Sequence, residues 1–355
     1  MAAVSHLPRR ALAAALLFLA LLAAGGESAA DGLASAARAA GLEFGVALGP
    51  ADAEASADLI RQNFTSLTAE NAMKWRSLAP AEDAYDFSGA DALVDFAAAN
   101  GLRVRGHTLV WSRLNGLPRW LDEVLAAGEG PTAALRRLVA AHVDATVSRY
   151  AGRIEQWDVV NEPLAFPGRE LDPDNIFLAA GGETALVDAF RLAAAADPDA
   201  RLYLNEIGLE EDAERYDAFV ALVERLRVAG APVHGVGLQG HFFKGPPDGA
   251  ALKARLDRLA ALGFDIEITE LDLPIGLFQG APDPLAAQAE AFAAVIAACL
   301  AVKRCHGVTV WGLTDATSWR GPEAQAVLFD GEGHPKPAHS AILATLRQAA
   351  QDRIR

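Results

Sequence analysis

Eight short apolar or β-branched runs recur along this chain, most of them separated by a helix-length segment. The runs are FGVAL (44–48), SLTAEN (66–71), RVRGHTLVW (103–111), IEQWDVVNE (154–162), RLYLNE (201–206), GVGLQGH (235–241), DIEITELD (265–272) and GVTVWGLTD (307–315). Stretches at 132–150, 183–196, 216–230, 251–263, 285–302 and 338–350 have apolar residues recurring at three and four. That spacing marks a helix with one buried stripe. Gly230 and Gly263 close two of these stretches, where a helix C-terminus favours a left-handed residue. Strand then helix, repeated, implies a parallel sheet. There is no glycine-rich turn after the first strand, no linker and no internal repeat. The pattern predicts an α/β fold: a closed (β/α)8 TIM barrel in a single domain.

The first thirty residues stand outside that pattern. Arg9 and Arg10 precede an apolar run, Ala11 to Ala24, followed by GGESAA. A basic start, a short apolar run and small residues describe a secretory signal peptide, here 1–30, with cleavage after Ala30. The run is short for a bilayer span, which needs about 20 residues. The paired arginines also permit a twin-arginine signal. Residues 31–355 then form the catalytic domain of a secreted or periplasmic protein. The chain of 355 residues carries a formal charge of −15, and Arg9, Arg10 and Glu27 leave with the leader, giving −16. So acidic a surface repels nucleic acid and anionic lipid but tolerates a neutral substrate. A monomer is expected.

Polar residues gather where the runs end. Glu70 and Asn71 end the second, His107 and Trp111 lie late in the third, and Asn161 and Glu162 end the fourth. Asn205 and Glu206 end the fifth, Gln239 and His241 the sixth, Glu270 and Asp272 the seventh. Trp311 and Asp315 lie in or after the eighth. In a parallel barrel all strand C-termini share one face, where the loops build the active site. Adjacent strand residues point to opposite faces, so Asn161 and Glu162 serve one pocket only if the pleat breaks or the strand finishes there. Pro163 favours the finish.

No serine-nucleophile motif, phosphate loop or cysteine-rich metal set appears, and no cofactor or metal is expected. His107 and His241 with Glu162 and Glu270 offer a rival metal reading, but neither HxH nor HExxH spacing occurs. Paired carboxylates beside tryptophan faces and amides suit sugars. Glycoside hydrolysis needs one carboxyl to donate a proton and another to attack or activate water. Glu162 and Glu270, on the fourth and seventh strands, are the candidates. A separation of roughly 5–5.5 Å is predicted, hence retention, with a bell-shaped pH–rate profile. Cys299 and Cys305 are too far apart along a continuous helix to bridge. A disulfide therefore needs the helix to end between them; otherwise both are free thiols.

These residues resemble a known family, the glycoside hydrolase family 10 xylanases. WDVVNE (157–162) resembles its acid/base strand and ITELD (268–272) its nucleophile strand. TAENAMKW (68–75), RGHTLVW (105–111), VWGLTDATSW (310–319) and LFDGEGHPKPA (328–338) match in order. The resemblance implies a retaining endo-β-1,4-xylanase acting on xylan or xylo-oligosaccharides, with Glu162 as acid/base and Glu270 as nucleophile. Asn161 would hold the 2-hydroxyl at the cleaved bond, and His241 would bind Glu270 and help keep it ionised. Glu70, Asn71, Lys74, His107 and Trp111 would form the glycone side. Trp311 and Trp319 would close over the sugar, and Gln239 would support the site. Paired cysteines before the eighth strand are also similar to those of many members.

Three stretches depart from the family. SRLNGLPRW (112–120) lacks its usual histidine and glutamine, leaving Asn115 as a candidate replacement. NEIGL (205–209) stands where the family reads Asn-Asp-Tyr-Asn and loses an aromatic. FPGREL (166–171) is an unusual loop after the acid/base strand. Alternative readings are a glycanase acting on aryl cellobiosides or β-glucan, and a carbohydrate-binding protein without catalysis. Trp157 reads as core, Trp75 as either packing or pocket floor, and Glu206 as either a strand-end charge or a site residue. Asp315 reads as orienting its neighbours, His142 as a helix-face histidine and His306 as a loop histidine, both without a role.

Overall fold

A computed structural model describes residues 32–113, 116–126, 131–172, 175–176 and 181–355. The expected leader, 1–30, and Asn115 lie outside the described residues. Eight parallel strands close into a barrel in sequence order. They are β1 (Glu43–Leu48), β2 (Ser66–Ala69), β3 (Arg103–Trp111), β4 (Gln156–Asn161), β5 (Arg201–Glu206), β6 (Gly235–Leu238), β7 (Asp265–Leu271) and β8 (Cys305–Val310). Helices Pro131–Arg149, Glu183–Ala196, Ala213–Val228, Gly249–Ala261, Pro284–Leu300 and Pro337–Ile354 match the six helical stretches. Gly230 and Gly263 have φ of 85° and 87°, the left-handed conformation expected just past a helix end.

Alternation in the strands divides the residues between two environments. Val104, Trp157, Ile266 and Ile268 belong to the apolar core shared with the surrounding helices. Their neighbours Arg105, Asp158 and Glu267 face the barrel interior. Arg105 Nε donates to Asp158 at 3.1 Å, and its Nη1 donates to Glu267 at 2.9 Å. β3 and β7 are not adjacent, so the second contact crosses the interior. All three side chains are buried, and each charge has an opposite partner, as burial requires. The run-by-run reading located the strands without showing this charged interior.

Several strands are shorter than their runs. Glu70, Asn71, Glu162, Gln239, His241, Asp272 and Trp311 follow the strand ends instead of belonging to them. Most of them are nonetheless tethered by backbone hydrogen bonds to neighbouring elements. Glu162 N donates to Asn205 O at 2.9 Å, and Glu270 N donates to Gln239 O at 2.6 Å. The helix Pro284–Leu300 ends before Cys305 opens β8, bringing the two cysteine Cα atoms to 5.2 Å and allowing the disulfide. His306 lies in β8, not in a loop, and binds Asp265.

Candidate active site

Glu162 resolves the problem posed by its neighbour. Its φ is +51°, a left-handed conformation that few non-glycine residues adopt. The pleat therefore breaks immediately after β4 ends at Asn161, and both side chains face one cleft. A register shift between Asp158 and Val160 helps, since Asp158 also faces the interior from three positions earlier. The cleft, of about 1160 Å³, opens at the C-terminal ends of the strands. It is lined by all twelve sequence-derived site residues: Glu70, Asn71, Lys74, His107, Trp111, Asn161, Glu162, Gln239, His241, Glu270, Trp311 and Trp319.

The two glutamates are linked through amides. Gln239 Nε2 donates to Glu162 Oε1 at 3.0 Å and to Asn161 Oδ1 at 3.3 Å. Asn205 Nδ2 donates to the same Asn161 oxygen at 2.8 Å and to Glu270 Oε1 at 2.7 Å. Thr269 donates to Asn205 Oδ1 at 2.7 Å, which fixes the orientation of that amide. A side chain at position 237 would collide with it, because a Cβ there would fall 2.1 Å from Asn205 Oδ1. Asn205 stood at a strand end in the sequence, but nothing in the sequence gave it a contact.

His241 lies between two carboxylates. Its Nε2 is 3.3 Å from Glu270 Oε2 and its Nδ1 is 2.8 Å from Asp272 Oδ2. Burial alone would lower the imidazole pKa, but Asp272 and Glu270 outweigh it and push it up to about 10. Among the described residues, no group of three or more His, Cys, Asp or Glu side chains is placed to hold a metal ion. Asp272 also takes Arg320 at 2.7 Å and Trp319 Nε1 at 2.7 Å, so it anchors the residues at this edge of the cleft. Its carboxyl is held below the usual range: burial opposes this, and His241 and Arg320 prevail.

At the opposite edge, Lys74 donates to Asn71 Oδ1 at 2.8 Å and stands 4.7 Å from the centre of the Trp111 ring. Burial lowers the Lys74 pKa against the pull of Glu270, Glu70 and Glu162, while burial raises that of Glu70 against Lys74. His107 Nδ1 lies 2.9 Å from Asp158, and its ring meets Trp311 edge-on at 5.1 Å.

The remaining assignments sort as follows. Trp75 is packing: it is buried, stacks on His142 at 4.7 Å and does not line the cleft. His142 is itself fully buried, with its pKa lowered by burial to about 3. Trp157 is core. Asp315 pairs with Lys336 at 2.9 Å and accepts from Val327 N, orienting neighbours as expected. Glu206 lies behind the cleft wall and accepts from Leu164 N at 3.0 Å, Ile207 N at 2.9 Å and Arg215 at 2.8 Å. Arg113 was not singled out from sequence. Its Nε is 3.3 Å from Glu162 and its Nη1 3.4 Å from Asp172.

Comparison with known proteins agrees with this architecture. Residues 32–345 match the Glycosyl hydrolase family 10 profile. Endo-1,4-beta-xylanase A of Fusarium oxysporum is 34% identical over 90% of this chain and 100% of its own length. Beta-1,4-xylanase of Dictyoglomus thermophilum is 36% identical over 81% of this chain and 83% of its own. Native xylanase 10B of Thermotoga maritima superposes with a TM-score of 0.82 at 32% identity, covering 91% of this chain and all of that one. Xylanase 10B of Thermotoga petrophila, solved in complex with xylobiose, gives 0.81 at 32% identity over 90% and 98%. The chain belongs to glycosyl hydrolase family 10.

Proposed function

We propose that this chain is an exported endo-1,4-β-xylanase that cleaves internal xylosidic bonds with retention. The observation that carries the reading is the amide relay joining two glutamates, one just past the end of β4 and one in β7, inside one tryptophan-walled cleft. In this reading Glu270, flanked by Asn205 and His241, attacks the anomeric carbon as Glu162 donates its proton to the glycosidic oxygen. The leaving chain departs with that proton, and a glycosyl ester remains on Glu270. Water then attacks the same carbon, gives a proton to Glu162 and releases Glu270. Two displacements on one carbon restore its configuration.

The amides suit the sugar ring. Asn161 lies between the two glutamates, where the 2-hydroxyl of the reacting sugar would meet it. The Trp111, Trp311 and Trp319 rings offer apolar faces, and Glu70, Asn71 and Lys74 offer hydrogen bonds to hydroxyls. Support for xylan over glucan comes from the relatives, which are named as xylanases. Residues 1–30 would direct export, and 31–355 would form the mature catalytic domain. N-terminal sequencing of the exported protein checks the cut after Ala30.

The test of mechanism is hydrolysis of unbranched β-1,4-xylan followed by NMR of the product anomers. Short oligomers appearing first in the β form are expected. First appearance of the α form means inversion and a different carboxylate assignment. Cleavage of a β-glucan or an aryl cellobioside alone would retain the chemistry and change the substrate.

A further inference from the structure

Two of the stretches that depart from the family meet beside Glu162. Arg113 lies in SRLNGLPRW (112–120), and Asp172 directly follows FPGREL (166–171). Arg113 Nε donates to Glu162 Oε2 at 3.3 Å, and its Nη1 lies 3.4 Å from Asp172 Oδ2. Gln239 donates to the other oxygen, Glu162 Oε1, at 3.0 Å. An amide donor at Oε1 favours Oε2 as the oxygen that carries the proton when the carboxyl is neutral. Arg113 therefore stands at the edge where charge appears when that proton leaves.

The wall that carries Asp172 is fixed. Asp172 is buried, and its N donates to Pro163 O at 3.0 Å, one residue beyond Glu162. Leu164 and Leu171 form an antiparallel bridge that pins the two ends of the loop between them. Arg215 takes the carbonyl oxygens of Ala165 and Gly168. Phe166 fills the space over Gly208, where a Cβ would lie 3.2 Å from its Cε2. Asp172 thus holds one end of the guanidinium and aims the other at Glu162.

The other charged groups around Glu162 come from every wall of the cleft. Lys74, beyond β2, feels Glu270 and Glu70 ahead of Glu162, and Arg76 lines the cleft two residues later. His107 in β3 is bound to Asp158, and Glu206 in β5 to Arg215. His241, beyond β6, lies between Glu270 and Asp272. Among the described residues, Arg113 is the one cation in ion-pair contact with Glu162.

We propose that Arg113 is a positioning residue for proton transfer: it holds the Oε2 edge of Glu162 and takes up the negative charge that forms there as the proton leaves for the glycosidic oxygen. This rests on the assignment of Glu162 as proton donor above. The O–H bond of Glu162 breaks, its electron pair stays on Oε2, and the proton joins the departing oxygen. The guanidinium keeps its own protons throughout. When water returns a proton to Glu162, the charge beside Arg113 is discharged again.

The test follows kcat/KM against pH for wild type, R113M and R113K on two substrates. Xylohexaose needs a proton on its leaving oxygen, whereas 2,4-dinitrophenyl β-xylobioside releases a stable anion and does not. A carboxyl deprived of a neighbouring cation holds its proton to higher pH. The alkaline limb on xylohexaose should thus lie about half a pH unit higher in R113M, the size of effect expected from a pair whose arginine is one-third exposed. R113K, which keeps the charge, is expected to restore the wild-type limb. On the dinitrophenyl substrate the limb should be the same in all three proteins. A limb that stays in place in R113M, or that moves equally on both substrates, overturns the proposal. If wild type hydrolyses neither substrate, the xylanase reading fails separately. Titration of the Glu162 carboxyl by 13C NMR, assigned by its loss in E162Q, then decides the pairing: a higher midpoint in R113M supports it, and an equal one overturns it.

Discussion

Asn205 Nδ2 stands 2.7 Å from Glu270 Oε1, and a glycine on the next strand makes that position possible. Gly237 pairs with Asn205 across β5 and β6, and the space of its missing side chain is filled by the Asn205 amide oxygen. G237A should therefore displace Asn205 and break the relay. Activity on the wild-type substrate should fall by roughly 10- to 100-fold, with about 1–3 kcal/mol of stability lost to overpacking. Steady-state kinetics and urea unfolding check both. Full activity would show that the Asn205 contact is dispensable.

Removing the attacking carboxylate separates chemistry from binding. E270Q keeps the shape of the side chain and its contact with Asn205 but cannot form the glycosyl ester. Turnover should fall by roughly a thousandfold or more while sugar binding persists. Calorimetry with xylohexaose alongside rate measurements distinguishes the two, and unchanged turnover would remove Glu270 from its role.

His241 should make stability depend on alkaline pH. Its imidazole is pushed up to about 10 by Asp272 and Glu270 in spite of burial. The unfolded value is about 6.5. A raised pKa stabilises fully below the unfolded value and loses its contribution as pH rises through the folded value. The Tm difference between wild type and H241N should thus shrink from about pH 6.5 to about pH 10. A difference that stays constant across this window would mean that His241 is not held as the imidazolium.

Arg215 is the counter-charge that makes buried Glu206 tolerable, and it also takes the carbonyl oxygens of Ala165, Gly168 and Ile207. Burial raises the Glu206 carboxyl to about 7, with Arg215 pulling it down and Glu162 pushing it up. A carboxyl raised in this way contributes stability that declines as pH rises from about 4.5 to about 7. R215M should cost about 3–5 kcal/mol at pH 8, where Glu206 is left charged and unpaired. The cost should be smaller at pH 5, where the proton neutralises Glu206. Chemical unfolding at the two pH values tests it, and equal losses would place the Arg215 contribution in its carbonyl contacts alone.

The Cys299–Cys305 bridge closes a short loop between a helix end and β8. Replacing both cysteines by serine should cost about 2 kcal/mol by the chain-entropy argument, seen as a lower Tm with unchanged kcat. A larger loss would mean that the bridge also holds the entry of β8 in the barrel.

The sequence by itself determined the barrel, because strand and helix periods are local and eight alternations leave few ways to bury both. It also determined which end of the barrel is chemical, because parallel strands carry all their C-terminal residues to one face. Ten of the cleft residues, Glu70, Asn71, His107, Trp111, Asn161, Glu162, Gln239, His241, Glu270 and Trp311, were read from those ends and share one cleft for that reason. Tertiary structure decided what no period encodes. The left-handed backbone at Glu162 turns two consecutive side chains into one site. The charged interior around Arg105 and the Asn205 relay depend on residues from non-neighbouring strands meeting at fixed distances, and the His241 imidazolium on carboxylates carried by the adjacent strand. Trp75 reads from sequence as either packing or pocket floor, and stacking on His142 settles it as packing. Phe166 read as part of an unusual loop until Gly208, more than forty positions away, showed the space it fills. Local periodicity fixes elements and faces, whereas contact distance and desolvation arise only when the elements are assembled.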